Sequence, residues 1–182
     1  EEMYASHPGL NLTIETLDGI IKHNGPLTKK NDQILKYIKD SKKFELTKSP
    51  SIEAQIAAIS DDVAYNSHDL GDGLRAGFFN LSDIKSLPII DEAYEFIDKK
   101  YIAVNYKTKC HEVIRHFLNK LVTSLIEESS KRLKLVQEKK FFNCKDQESK
   151  LINFSKKTND EMEIISKFLF ENMYRNKVVL FE

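Results

Sequence analysis

Apolar residues recur at intervals of three and four along most of this chain, and strand-like alternation is scarce. Thr13 reads as the cap of a helix running to about His23, with Leu17, Ile20 and Ile21 on one face and Gly25-Pro26 ending it. Ser49-Pro50-Ser51 signals a second start. In the helix that follows, SIEAQIAAISDDVAYNSHDL, residues Ile52, Ile56, Ile59 and Val63 form an apolar stripe. Shorter helices are predicted over about residues 73–79 and 91–99. The longest covers about 109–137, turning Val113, Phe117, Leu121, Leu125 and Ile126 toward a core. Thr158 or Asn159 opens a last helix through Tyr174. The pattern predicts an all-α fold, one helical region over 1–182 without an internal repeat.

Composition changes this picture little. Of 182 residues, 41% are hydrophobic and 31% charged, which describes a globular protein rather than a disordered one. Lys plus Arg equals Asp plus Glu at 28 each, so no global field recruits nucleic acid or an anionic membrane. Any anion site has to be built locally. Cys110 and Cys144 have neither metal-ligand spacing nor a disulfide framework, which suits a reducing, cytoplasmic setting. No apolar run approaches the roughly 18–20 residues of a membrane span. Met3 follows Glu1 and Glu2, so the beginning reads as a cut edge. Residues 131–157 are rich in lysine and read as an exposed basic helix end and loop, with a phosphate-facing patch as the sharper alternative.

The chemistry concentrates in Asp61, Tyr65 and Asp69, spaced by four on one helix. At about 3.6 residues per turn they stack along one face, a phenol between two carboxylates. Carboxylates beside an apolar stripe need a cation or hydrogen-bond donors in front of them. A metal is the sharp explanation and salt bridges the plain one; spacing alone favours the salt bridges. The adjacent pair His68-Asp69 suggests a metal dyad, yet helix neighbours diverge by about 100°. No histidine with suitable context precedes it, since His7 and His23 sit beside Pro and Gly turns. His68 and Asp62 are expected to point away from the face of Asp61, Tyr65 and Asp69, which forms a continuous rail.

GLNLTIETLDGIIKHNGP at 9–26 and PSIEAQIAAISDDVAYNSHDLGDGLRAG at 50–77 closely resemble the bacterial deoxyguanosine-triphosphate triphosphohydrolase-like proteins of the HD superfamily. VIRHFLNKLVTSLIEES at 113–129 and FLFENMYRNKVV at 168–179 extend the similarity over most of the chain. The resemblance implies the C-terminal portion of a helical HD-domain phosphohydrolase that converts a deoxynucleoside triphosphate and water into deoxynucleoside and tripolyphosphate. It implies a divalent metal, Mg or Mn, held by a histidine, an His-Asp dyad and a final aspartate. Asp61 matches that final ligand, and Tyr65 and Asp69 match sugar contacts, the aspartate reading the 3′-hydroxyl. Arg75 in GLRAG is a candidate phosphate contact, with Lys22 and Arg115 weaker ones.

The family's upstream ligands and its groups near the scissile phosphate do not occur here. No catalytic residue is therefore assigned within the chain, which alone is expected to be inactive without the missing N-terminal half or a partner polypeptide. The alternative is a non-catalytic remnant that binds nucleotides or oligomerises. The resemblance also implies a homo-oligomer, with single-stranded DNA as a further partner, and no membrane association.

Overall fold

Thr13 stands in extended backbone and its hydroxyl accepts the Thr16 amide, which starts α1 (Ile14–Ile21) as its sequence predicts. The computed structural model describes residues 4–7, 9–27, 44–137, 143–146 and 150–176. Their further elements are α2 (Ile52–Ala76), α3 (Leu81–Ile84), α4 (Ile90–Lys100), α5 (Tyr106–Gln137) and α6 (Lys156–Leu169). A 3-10 turn covers Cys144–Asp146, and α6 ends in a π turn at Phe170–Tyr174. No strand occurs among the described residues, so the fold is all-α as expected. The contacts divide the chain into two compact units. One comprises Glu1–Ile59 and Arg132–Ile152, the other Ser60–Lys131 and Asn153–Glu182.

The first unit is held by polar contacts across distant segments. Gln55 is buried on α2 and bonded through both polar atoms: its amide nitrogen donates to the Pro50 carbonyl at 3.0 Å. Its oxygen accepts the Leu151 and Ile152 amides at 2.9 and 3.2 Å. Such a satisfied buried amide ties two stretches together without leaving an orphan donor. Lys145 lies 3.6 Å from Asp18, and its carbonyl accepts the Ser49 amide at 3.1 Å. Of the basic stretch 131–157, residues 138–142 and 147–149 lie outside the described residues; Leu151, Ile152 and Phe154 within it are buried.

The second unit has an apolar core. Leu70 of α2, Ile84, Ile90, and Val113, Phe117 and Leu121 of α5 are fully enclosed, with Ile165 from α6. The α5 heptad-like spacing therefore packs as predicted for its first three members, whereas Ile126 is exposed. Asn105 starts α5 earlier than expected, accepting the Thr108 amide at 2.9 Å. Ser155 does the same for α6, accepting the Thr158 amide at 3.2 Å.

The Gly71-Asp72-Gly73 stretch does not separate two helices: α2 continues through it to Ala76. Gly73 is a packing residue, because a Cβ there would meet the Phe79 ring at 2.2 Å. The stop comes from Gly77, at φ +74°, where the Phe78 amide reaches back to the Gly73 carbonyl at 3.0 Å.

Candidate functional site

The segment of α2 from Asp61 to Arg75 presents two faces. Val63 and Leu70 turn into the core of the second unit, joined by buried Asn66 and Ser67. Asn66 donates to the Asp62 carbonyl at 2.8 Å, and its side-chain oxygen accepts the Ser166 hydroxyl of α6 at 3.1 Å. These contacts fix the rotation of α2. Asp61 and Tyr65 are left exposed, with Asp69 half-buried two turns along. The i, i+4 repeat thus lies beside the packed stripe, not within it.

Tyr65 does not stand alone. Its ring stacks on Tyr174, from the π turn after α6, at 6.0 Å between centroids and 15° between planes. Two polar atoms around this pair are closed off from solvent without a hydrogen-bond partner, Asp69 Oδ2 and the Tyr174 hydroxyl. Burial raises the Asp69 carboxyl above its usual range, and the Asp72 charge adds to this. His68 and the Tyr65 hydroxyl oppose the shift. Burial likewise raises the Tyr65 phenol, reinforced by the neighbouring Asp69 carboxylate. A half-buried carboxylate with an unused oxygen next to stacked rings is suited to receiving a hydroxyl beside a flat or puckered apolar surface.

Farther round α2 lies a cavity of about 610 Å³ shared with α5. His68, Asp72 and Arg75 line it from α2; Lys107, His111 and Arg115 line it from α5. The cations are partly offset within the wall. Arg75 meets Asp72 at 3.2 Å with both side chains largely in solvent, and Arg115 pairs with Glu112. His68 lines this cavity and is exposed. Lys22, by contrast, is fully buried in the first unit at 2.8 Å from Asp18, so it offers no charge to a ligand.

Among the described residues, no three His, Cys, Asp or Glu side chains converge as a metal site would need. The residues present therefore do not fit a metal by themselves. Asp61 is an exposed carboxylate without two companion ligands.

No family model matches the chain. Curated relatives do. A protein of Roseobacter denitrificans is 42% identical over 175 residues, 96% of this chain and 45% of the relative. One from Paracoccus denitrificans is 40% identical over 182 residues, the whole chain and 48% of the relative. One from Bradyrhizobium diazoefficiens is 35% identical over 193 aligned residues, 99% of the chain and 48% of the relative. All three bear the name deoxyguanosinetriphosphate triphosphohydrolase-like protein. The chain is homologous to part of these triphosphohydrolase-like proteins. It spans about half the length of the curated relatives it matches.

Within the matched region, the sequence spacing brings Asp61, Tyr65 and Asp69 onto one side of α2. Arg75 lies on the same helix but lines the α5 cavity, paired with Asp72. The second wall of the Tyr65 site was not visible from spacing. Tyr174 appears in the sequence only as the end of a helix, and the signal for it is an aromatic residue in the polar run Glu171-Asn172-Met173-Tyr174-Arg175. A tyrosine at such a helix end has no core-facing periodicity to explain it.

Proposed function

We propose that this chain supplies the sugar-reading face, and one metal-facing carboxylate, of a deoxynucleoside triphosphate triphosphohydrolase built on an HD-type helical frame. The observation that carries the reading is the closed-off Asp69 oxygen beside the Tyr65–Tyr174 stack. An ionised carboxylate accepts hydrogen bonds only, so Asp69 would receive the 3′-hydroxyl, and the Tyr65 ring would pack on the deoxyribose. Binding the sugar at one end fixes where the α-phosphorus lies, and positioning of this kind lowers the barrier to attack. In the reaction, a water oxygen bonds to the α-phosphorus, the bond from phosphorus to the sugar 5′-oxygen breaks, and the proton lost by the water ends on that oxygen as deoxynucleoside and tripolyphosphate separate. Asp61 would lend one oxygen to a Mg or Mn ion whose other ligands come from outside this chain. Arg75 would act as a phosphate contact once its pairing with Asp72 is exchanged for a stronger anion.

A second reading has an observation in its favour. The lack of converging ligands among the described residues suits a chain that binds deoxynucleotides without metal, as a regulatory or oligomerising remnant. In both readings the setting is the cytoplasm, where deoxynucleotides are held, and homo-oligomerisation and single-stranded DNA binding are secondary proposals from the resemblance alone.

The test joins this chain to the remainder of the Roseobacter denitrificans relative, replacing the segment it matches. Mixed deoxynucleoside triphosphates with Mg²⁺ or Mn²⁺ are then followed for release of deoxynucleoside and tripolyphosphate. The joined protein is expected to turn over, and Asp61→Ala to lower the rate by at least 100-fold; the isolated chain should stay at the Asp61→Ala background. A folded joined protein that binds deoxynucleotides tightly in chelator but never releases tripolyphosphate would transfer the case to the regulatory reading.

A further inference from the structure

Gly71 stands in the interior of α2, with nothing within 4 Å of the place its Cβ would take. Interior glycine destabilises a helix relative to alanine. Gly73, two residues on, has a packing reason in the Phe79 ring, and Gly71 has none. What Gly71 keeps open is the cavity of about 610 Å³ between α2 and α5, which it lines and which lies wholly inside the second unit. Bare helix backbone lets a ligand approach more closely than any side chain would.

The rest of the wall divides by chemistry. Leu74 of α2 with Ile114 and Leu118 of α5 give it an apolar floor. Tyr106 adds a ring that is 53% exposed yet fixed, since its hydroxyl accepts the Leu81 amide at 3.1 Å. Lys107, His111 and Arg115 follow one another along α5 at intervals of four and so share one face of it. The Lys107 and His111 side chains make no ion pair or hydrogen bond among the described residues. Arg115 is held only by Glu112, one turn away and open to solvent, a pairing that a stronger anion can displace. Asp72 is the only acid among the residues lining the cavity, and it faces Arg75.

We propose that this cavity binds a phosphate ester with a flat aromatic body, its phosphate against Lys107, His111 and Arg115 and its ring over the Gly71 backbone and the aliphatic floor. Pockets for small ligands combine an apolar lining with a few converging polar groups, and this volume falls within their usual size. Three cations on one helix face offer more donors than a carboxylate can accept, whereas a phosphate takes them together. A nucleoside monophosphate and a smaller aryl phosphate share this chemistry. Neither Tyr65 nor Asp69 lines the cavity, so the site is separate from the rail and stands whether or not the rail handles nucleotides. Arg75 has its own assignment above and is not needed here.

Titration calorimetry on this chain with phenyl phosphate, adenosine monophosphate, inorganic phosphate and benzoate tests it. Phenyl phosphate should saturate, and bind at least about 10-fold more tightly than either inorganic phosphate or benzoate. Inorganic phosphate binding as tightly would reduce the site to a cluster of surface charge, and benzoate binding as tightly would remove the preference for phosphate; each result overturns the proposal. So would the absence of saturable binding by both esters. Adenosine monophosphate binding more tightly than phenyl phosphate would assign the cavity to nucleotides, and weaker binding would assign it to the smaller esters. Gly71→Leu fills the open space and should abolish binding without lowering the unfolding temperature. Lys107→Gln with His111→Gln, both at the surface, should weaken phenyl phosphate by at least about 10-fold. Undiminished binding in either variant counts against the cavity. Asp69→Asn should leave the affinity unchanged, and a loss there would place the ester on the rail instead.

Discussion

At Asp69 the fold has removed solvent from one carboxylate oxygen and given it no donor. Burial and the Asp72 charge raise the carboxyl, so the folded state holds its proton to higher pH than the unfolded chain does. Where the folded state binds more protons, stability falls as pH rises. The group's contribution is thus most favourable in acid, declines as pH climbs from the unfolded to the folded value, and stays a fixed penalty above that window. Asp69→Asn removes the penalty and should stabilise the isolated chain at neutral pH by on the order of 1 kcal/mol. Denaturant titrations at pH 4 and pH 7 check this: the gain should be present at pH 7 and shrink at pH 4. A loss of stability at pH 7 would mean that the hydrogen bond from the Tyr65 hydroxyl outweighs the cost of burial. Stability and ligand affinity should then move in opposite directions, because an amide cannot replace the acceptor-only carboxylate toward a hydroxyl. The i, i+4 series was legible because side-chain stacking along a helix follows from its geometry alone. The Tyr174 partner was not, since it reaches Tyr65 only after the chain has folded back from α6.

On the scale of elements, glycine explains the largest departure from the sequence pattern. The sequence pattern ends one helix at Leu70 and starts another at about Gly73, yet α2 passes through both glycines. A helix tolerates interior glycine at roughly 1 kcal/mol each, and packing against Phe79 can outweigh that. Gly73→Ala should therefore not stabilise α2, as propensity alone would have it. The new methyl collides with the Phe79 ring, and overpacking of this kind costs about 1–3 kcal/mol. Thermal unfolding measures it, and a second change, Phe79→Leu, should recover part of the loss by making room. Additive destabilisation by the two changes would show that the ring is not the obstacle. Gln55 offers the complementary case in the first unit. Gln55→Leu keeps the volume but strands the Leu151 and Ile152 amides, for a loss of about 2–3 kcal/mol in denaturant unfolding. The periodicity of Ile52, Ile56, Ile59 and Val63 located the start of α2, but Ile56 is exposed and the buried glutamine beside it left no sign. Long-range amide pairing leaves no mark on local spacing. The same holds for α1, whose buried Asp18 lies 3.6 Å from Lys145, far along the chain.

For the whole molecule, metal binding is where the match to only about half of each relative has its sharpest consequence. One exposed carboxylate competes poorly with water for a divalent ion, and tight sites gather several oxygen or nitrogen ligands. Titrating Mn²⁺ into the isolated chain should therefore give no saturable binding below about 1 mM, and Asp61→Ala should leave the titration unchanged. In the joined protein a saturable site should appear, and Asp61→Ala should weaken it by more than the roughly 10–100-fold that follows loss of an outer-shell partner. The two halves of this prediction separate distinct errors. Tight binding by the isolated chain, abolished by Asp61→Ala, would mean that side chains within these residues converge after all, with His68 the candidate histidine on α2. A joined protein that binds metal with no sensitivity to Asp61 would place the ion elsewhere. The rail would then be left as a sugar site alone, and the regulatory reading of the chain would gain from it.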